Sequence, residues 1–143
     1  MQKSTMVLSV SLAELDEILQ DVTSWPAFLP ELEAVRRTGK GRWTFTVQQD
    51  GHSHEVDVAV RRSPYGFGML WTVVYGPAWN GHLHLQVADA RRTRVHLELN
   101  VDPREAPAPV VEPAAGEQSR TRLGLARLSD AVRRQRRVIR IPA

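Results

Sequence analysis

The chain has no cysteine. Disulfides, thiolate metal sites and a cysteine nucleophile are excluded on that ground alone. Long apolar runs are missing as well. None approaches the roughly 20 residues that a membrane-crossing helix needs. The opening residues, Met1 to Thr5, run straight into a strand pattern without the apolar core of a secretion signal. Together these absences predict a cytoplasmic protein. There is no internal repeat, and no Ser-His-Asp ordering, glycine-rich phosphate loop, nucleotide fingerprint or paired-carboxylate signature occurs.

What remains is ordinary in bulk and uneven in detail. A chain of 143 residues, 42% hydrophobic and 24% charged, fits one globular domain with a real core. The formal charge is +3, but residues 118–143 hold eight arginines against Asp130 alone, a local +7 that leaves the rest at −4. A basic end on an acidic body suits an anionic membrane or an acidic partner, and reads most simply as a solvated helix face. Nucleic acid is disfavoured because no aromatic residue interleaves with these arginines.

The first third reads as strand, helix, short helix. Thr5 to Val10 is β-type, and Ser11-Leu12-Ala13-Glu14 has the spacing of a capping box for a helix to about Asp21. That helix carries Leu12, Leu15, Ile18 and Leu19 on one face. Pro26 suits the first turn of a second, short helix capped by Ser24 or Trp25, and Pro30 ends it. A strand follows from Leu32 to Thr38.

The middle of the chain alternates with period two. Trp43, Phe45 and Val47 share one face of a strand that reaches the turn signal Asp50-Gly51. Closing a two-residue hairpin there sets Trp43 against Val58, Phe45 against Val56 and Val47 against His54, so the apolar sets coincide. Beyond Ser63-Pro64-Tyr65-Gly66, the inward set is Phe67, Met69, Trp71, Val73 and Tyr75. Trp79, Gly81, Leu83, Leu85 and Val87 continue it, followed by Thr93, Val95, Leu97, Leu99 and Val101. The outward set includes His82 and His84, and the hairpin register places Glu98 and His96 opposite them. Three imidazoles and a carboxylate on a sheet are donors that zinc accepts. They stand on the outer face among Arg94 and Gln86, which reads as a solvated polar surface, and no metal is assigned.

Pro103, Pro107, Pro109 and Pro113 make residues 103–117 a loop. Residues 118–137 then form an amphipathic helix, with Thr121, Leu125, Leu128, Val132 and Gln135 on a narrow stripe and Gly124 and Ala131 beside it. Residues 138–143 are expected as a tail. One long helix after a run of antiparallel strands predicts a single α+β domain over 1–143, a curved seven-stranded sheet wrapped around that helix.

The order of elements resembles the START-like helix-grip (SRPBCC) superfamily, including its polyketide cyclase/dehydrase and coenzyme-Q-binding types. Asp21-Val22-Thr23-Ser24-Trp25-Pro26-Ala27-Phe28-Leu29-Pro30 looks like the family's D-x-x-x-W-P-x-F-x-P segment. Leu70-Trp71-Thr72, the run Gly81 to Leu85 and the run Thr93 to Pro103 add to the likeness. The proline-rich loop before the last helix is a departure from it.

The resemblance implies a pocket between sheet and terminal helix for a polyketide, quinone or lipid, with no cofactor and with either a monomer or a homodimer as the unit. Its lining would come from Trp25 and Phe28 of the short-helix segment, and from Trp43, Phe45 and Val56 of the first hairpin. Met69, Trp71, Trp79, Leu83 and Leu97 of the meander would continue it, and Leu125 and Leu128 of the helix would close it. The small Thr121, Gly124 and Ala131 would leave room. The competing arrangement is a solid core of the same side chains.

His54, inward near a strand end, and Tyr75, inward on its own strand, are the candidate acid/base groups. An enzyme of this kind would be a cyclase or dehydratase acting largely by positioning. A non-catalytic carrier using the arginine-rich helix end at a membrane is the alternative.

Overall fold

The structure, a computed structural model, describes residues 2–49, 51–101 and 115–139, and in the last helix the side chains of 120–135. Seven strands form one curved antiparallel sheet: β1 (Gln2–Leu8), β2 (Leu32–Gly39), β3 (Arg42–Gln49), β4 (His52–Arg62), β5 (Phe67–Tyr75), β6 (Trp79–Asp89) and β7 (Arg92–Val101). Their spatial order is β1-β7-β6-β5-β4-β3-β2, so the first strand returns to pair with the last and β1 and β2 are the edges. Helix α1 (Leu12–Gln20), a 3-10 helix (Val22–Ala27) and helix α2 (Ala115–Ile139) cover the concave face.

Local chemistry explains most boundaries. The Ser11 hydroxyl accepts from the Glu14 amide, capping α1 as its spacing predicts. The cap of the next segment differs from expectation. It is Asp21, whose Oδ1 accepts from the Thr23 amide and hydroxyl, and neither Ser24 nor Trp25 takes that place. Because the 3-10 segment follows at once, α1 and this turn share the one aspartate as C-terminal and N-terminal neighbour. The last helix begins at Ala115, three residues before the expected start, and runs on to Ile139. The expected loop therefore ends earlier than 117. Its residues up to 114, and the tail from 140, lie outside the described residues.

Both hairpin registers read from sequence are present. Trp43 pairs with Val58, Phe45 with Val56 and Val47 with His54. Likewise His82 pairs with Glu98 and His84 with His96.

Where the sheet departs from strict alternation, a residue changes sides. Between β4 and β5, Val58 pairs with Val73 but Asp57 pairs with Tyr75, so one extra residue, Val74, is inserted. This bulge sets Tyr75 opposite an outward-facing aspartate. Tyr75 is accordingly 77% exposed and does not point into the grip, contrary to the alternation pattern. Phe67 and Val87, at strand ends, are exposed too.

The core is built around four aromatic rings. Trp25 lies 5.0 Å from Trp71 and 5.9 Å from Phe45, while Trp79 lies 5.9 Å from Trp71 and 6.2 Å from Phe45, centre to centre. Tilted and edge-on contacts at these distances each add about 0.5–1.5 kcal/mol beyond the burial of area. Every indole in the cluster also places its N–H: Trp25 donates to the Leu19 carbonyl, Trp71 to the Trp79 carbonyl, and Trp79 to Glu31 Oε2. Burying three indoles is favourable only because those donors are satisfied.

Helix α2 lies mainly against β1, with lesser contact to β7 and the 3-10 helix. Thr121, Gly124, Leu125, Leu128 and Val132 are its buried stripe, and Leu123 and Gln135 are exposed. The small residues on that stripe serve close approach and not the spare room expected of them. A Cβ on Gly124 would come within 3.2 Å of Leu97 Cδ2 and 3.3 Å of the Phe28 carbonyl oxygen. Thr121 is fully buried and hydrogen-bonds the Ser4 hydroxyl of β1.

Candidate functional site

Alternating strand directions bring particular ends together. The start of β1, the ends of β7, β5 and β3, and the starts of β6, β4 and β2 all lie at one end of the sheet. The first described turns of α2 are tied to that end, by Thr121 to Ser4 and by Arg120 to Glu31. Polar side chains on the concave side gather here, while the opposite end of the grip is closed by α1 against β5, β6 and β7.

The best-defined group is a three-residue chain. Glu31, just before β2, receives Arg120 Nε on Oε1 at 2.7 Å and Trp79 Nε1 on Oε2 at 3.0 Å. Its side chain is only 14% exposed, against 42% for Arg120. A carboxylate so far withdrawn from water needs both partners, and the pair joins α2 to the aromatic cluster through Trp79.

Two amides complete the inventory. Gln2 faces Leu99 and Gln49 faces His52 on their strands. Gln2 Oε1 and Gln49 Nε2 are buried without a hydrogen-bond partner among the described residues. An orphaned buried polar atom costs about 1–3 kcal/mol, so each marks a position where a polar group of a bound molecule would be stabilising. His54 stands half-buried at the start of β4, on the same face as Val56 and Val58. One row deeper lies the apolar Phe45–Val56 pair. The end of the grip therefore offers an imidazole, a carboxylate–guanidinium pair and two free amide atoms above an apolar floor. That set can orient a carbonyl or hydroxyl and, through His54, exchange a proton.

The structure sorts the residues expected to line a pocket. Trp25, Phe28, Phe45, Val56, Met69, Trp71, Trp79, Leu83, Leu97, Leu125 and Leu128 are all buried, and Trp43 is half-buried. Trp25, Phe45, Trp71 and Trp79 pack on one another, and nothing fits between rings at those separations. Trp71 also lies directly over Gly81, where a Cβ would be 1.9 Å from its Cζ2. Of the acid/base candidates, His54 is where its register puts it and Tyr75 is outside.

Sequence reasoning passed over Glu31, Arg120, Gln2 and Gln49. Gln49 shares parity with Val47, so alternation alone could have found it. Glu31, in a turn after Pro30, carries no such signal.

No protein-family model and no curated protein matches the chain. Among solved structures it is similar to a START superfamily protein from Mycobacterium smegmatis, at 16% identity and TM-score 0.59, over 91% of this chain and 92% of that one. It is also similar to the Zhui aromatase/cyclase from a Streptomyces species, at 17% identity and TM-score 0.64, over 97% and 94%. The di-domain aromatase/cyclase StfQ from the steffimycin biosynthetic pathway aligns at 15% identity and TM-score 0.63, over 96% of this chain and 46% of that one. Identities this low speak for architecture and not for activity: the chain has a START-like helix-grip fold.

Proposed function

We propose that the chain binds a bulky, mostly apolar small molecule, of the polyketide, quinone or lipid class, at the end of the grip between α2 and the concave sheet. The observation that carries this reading is the pair of buried, unpartnered amide atoms, Gln2 Oε1 and Gln49 Nε2. They share that end with half-buried His54 and with the Glu31–Arg120 pair. An interior designed only for packing would leave neither atom there. The aromatic cluster then forms the floor of the site.

The likeness to aromatase/cyclases supports a cyclase- or dehydratase-like reaction in which the site holds a flexible chain in a reactive conformation. His54 then supplies the acid/base step. Tyr75, exposed on the rim, takes no proton-transfer role. The second reading is a carrier that only shields its ligand. It is favoured by the exposed Arg122, Arg127, Arg133 and Arg134 of α2, which would meet an anionic surface.

Native mass spectrometry of the purified protein tests binding: a co-purifying apolar molecule of a few hundred daltons supports the site, and its consistent absence after expression in the native host contradicts it. His54→Ala separates the readings. Lost turnover with retained binding identifies the enzyme, and unchanged turnover removes the role of His54.

A further inference from the structure

The outer face of the sheet carries a second constellation, away from the grip and independent of the function proposed for it. His82 and His84, two apart on β6, face Glu98 and His96 on β7. With Tyr65 and Gln86 they line an open groove of about 430 Å³. A smaller hollow of about 180 Å³ adjoins it, sharing His82 and Glu98 and reaching over Leu70 to Asn80 and Asn100. Asn80 helps to open that hollow. Its Oδ1 accepts from the Val73 amide, where β5 and β6 cease to pair beyond Trp71 and Gly81.

Hydrogen bonds fix two of the three rings. The Tyr65 amide donates to Ser63 Oγ, so the Ser63 hydroxyl donates to His82 Nε2 at 2.7 Å and that ring keeps its proton on Nδ1. His96 Nε2 donates to Gln86 Oε1 and its Nδ1 accepts from the Thr5 hydroxyl, both at 2.9 Å. His84 differs. Its Nδ1 is buried with no partner among the described residues, so no hydrogen bond opposes a half turn of the ring that brings this nitrogen to the groove. Burial holds both His82 and His96 below the ordinary imidazole pKa, and neighbouring His84 acts in the same direction on each. Arg94 lowers His96 further, while Glu98 opposes the shift at both. Above the ordinary imidazole pKa these two rings are uncharged, and Glu98 is the one acidic side chain in the lining of the groove.

We propose that this groove binds a small organic cation with N–H donors, an amidinium or guanidinium carried on a flat apolar body. The Glu98 carboxylate accepts from the cation, and the turned His84 ring supplies a second acceptor. Tyr65, 79% exposed and 6.0 Å from the His82 ring, offers its face to the charge. The apolar body lies toward Leu70 in the smaller hollow. The chain already shows the preference. The exposed Lys3 ammonium of β1 stands 3.7 Å from Glu98 Oε1, and a planar cation exchanges that long single contact for a forked one. An anion is disfavoured, because Glu98 repels it and His82 and His96 carry no charge to hold it.

The same groups make binding depend on pH. As His82 and His96 take up protons, positive charge appears beside Glu98 and the groove stops attracting a cation. The other charged or titratable groups that face it are Lys3 of β1, Arg94 of β7, Tyr65 of the β4–β5 turn and Arg61 of β4, which stands across Leu70 from His82. Histidine is the side chain that titrates near neutrality. Affinity is therefore highest above the ordinary imidazole pKa and is lost as the pH falls through the lowered values of His82 and His96.

The test is titration of full-length protein with benzamidine, followed by NMR shifts of imidazole and backbone resonances. Saturable shifts at His82, His84, His96 and Leu70 are expected, with a Kd of about 1 mM or tighter. Glu98→Gln should weaken binding at least about threefold, and Lys3→Ala, which removes the internal competitor, should tighten it about twofold. Tyr65→Ala should weaken it about two- to fivefold. Acidification from about pH 7.5 to about pH 5.5 should raise the Kd. Circular dichroism checks that each variant remains folded. Shifts that do not saturate by about 20 mM benzamidine, an unchanged Kd in folded Glu98→Gln, or benzoate bound as tightly as benzamidine would overturn the proposal. So would shifts centred on His54, which would put the cation in the grip. Tighter binding of N-acetylarginine amide than of benzamidine would also overturn it, in favour of an arginine side chain on a partner protein.

Discussion

Gly81 and Trp71 show how one position without a side chain sets the core. The Trp71 ring occupies the volume a Cβ on Gly81 would need, and from there it reaches Trp25, Trp79 and the Trp79 carbonyl. Gly81→Ala must displace that ring, and a loss of about 3 kcal/mol is expected, measured by urea denaturation. A change below about 1 kcal/mol would mean the ring has free space to retreat into. The Glu31–Arg120 contact gives a second test. Arg120→Ala leaves a carboxylate that is mostly out of water with Trp79 as its remaining partner. A loss of about 1–2 kcal/mol is expected, smaller than for a fully buried pair because Arg120 is itself partly solvated. Glu31→Gln, which keeps an acceptor for Trp79 and removes the stranded charge, should restore part of the stability in the Arg120→Ala background. No recovery on thermal melting would place the energy elsewhere.

Among the elements, α2 is held by proximity. Gly124→Leu would drive a side chain into Leu97 and the Phe28 carbonyl, and the improved helix propensity of about 1 kcal/mol cannot offset overpacking. A net loss of about 2 kcal/mol is expected on denaturation, while Leu123→Ala on the exposed side should change stability by less than about 0.5 kcal/mol.

What the sequence disclosed at this scale follows a physical line. The hairpins were legible because a two-residue turn fixes pairing, and wrong pairing would expose a whole apolar face. The meander, the order of helices and the buried stripe of α2 were legible for the same reason, that periodicity records burial. Tyr75 was not legible, because a bulge is decided by backbone pairing between strands and leaves no mark in the alternation of one strand. The Asp21 cap was missed because Asp21, Thr23 and Ser24 all offer side-chain oxygens within four residues. The role of Gly124 was reversed because smallness in a sequence does not distinguish an empty space from a close neighbour.

The whole molecule has a full centre and a polar end. Its aromatic cluster is packed ring on ring, so the proposed ligand is set above that floor, at the end where Gln2, Gln49, His54, Glu31 and Arg120 stand. The fold could be read from sequence almost entirely, but the site could be read only in part. Burial patterns reveal which side chains face inward, whereas a site depends on which inward polar atoms lack partners, and only three-dimensional neighbours decide that. Saturable binding of a naphthoquinone or a long-chain fatty acid, followed by equilibrium dialysis for wild type and for His54→Trp, tests this account most directly. One molecule per chain, bound by wild type and excluded by the indole at position 54 while the melting temperature is kept, is the predicted result. Binding that never saturates, or that is equal in both proteins, would contradict it.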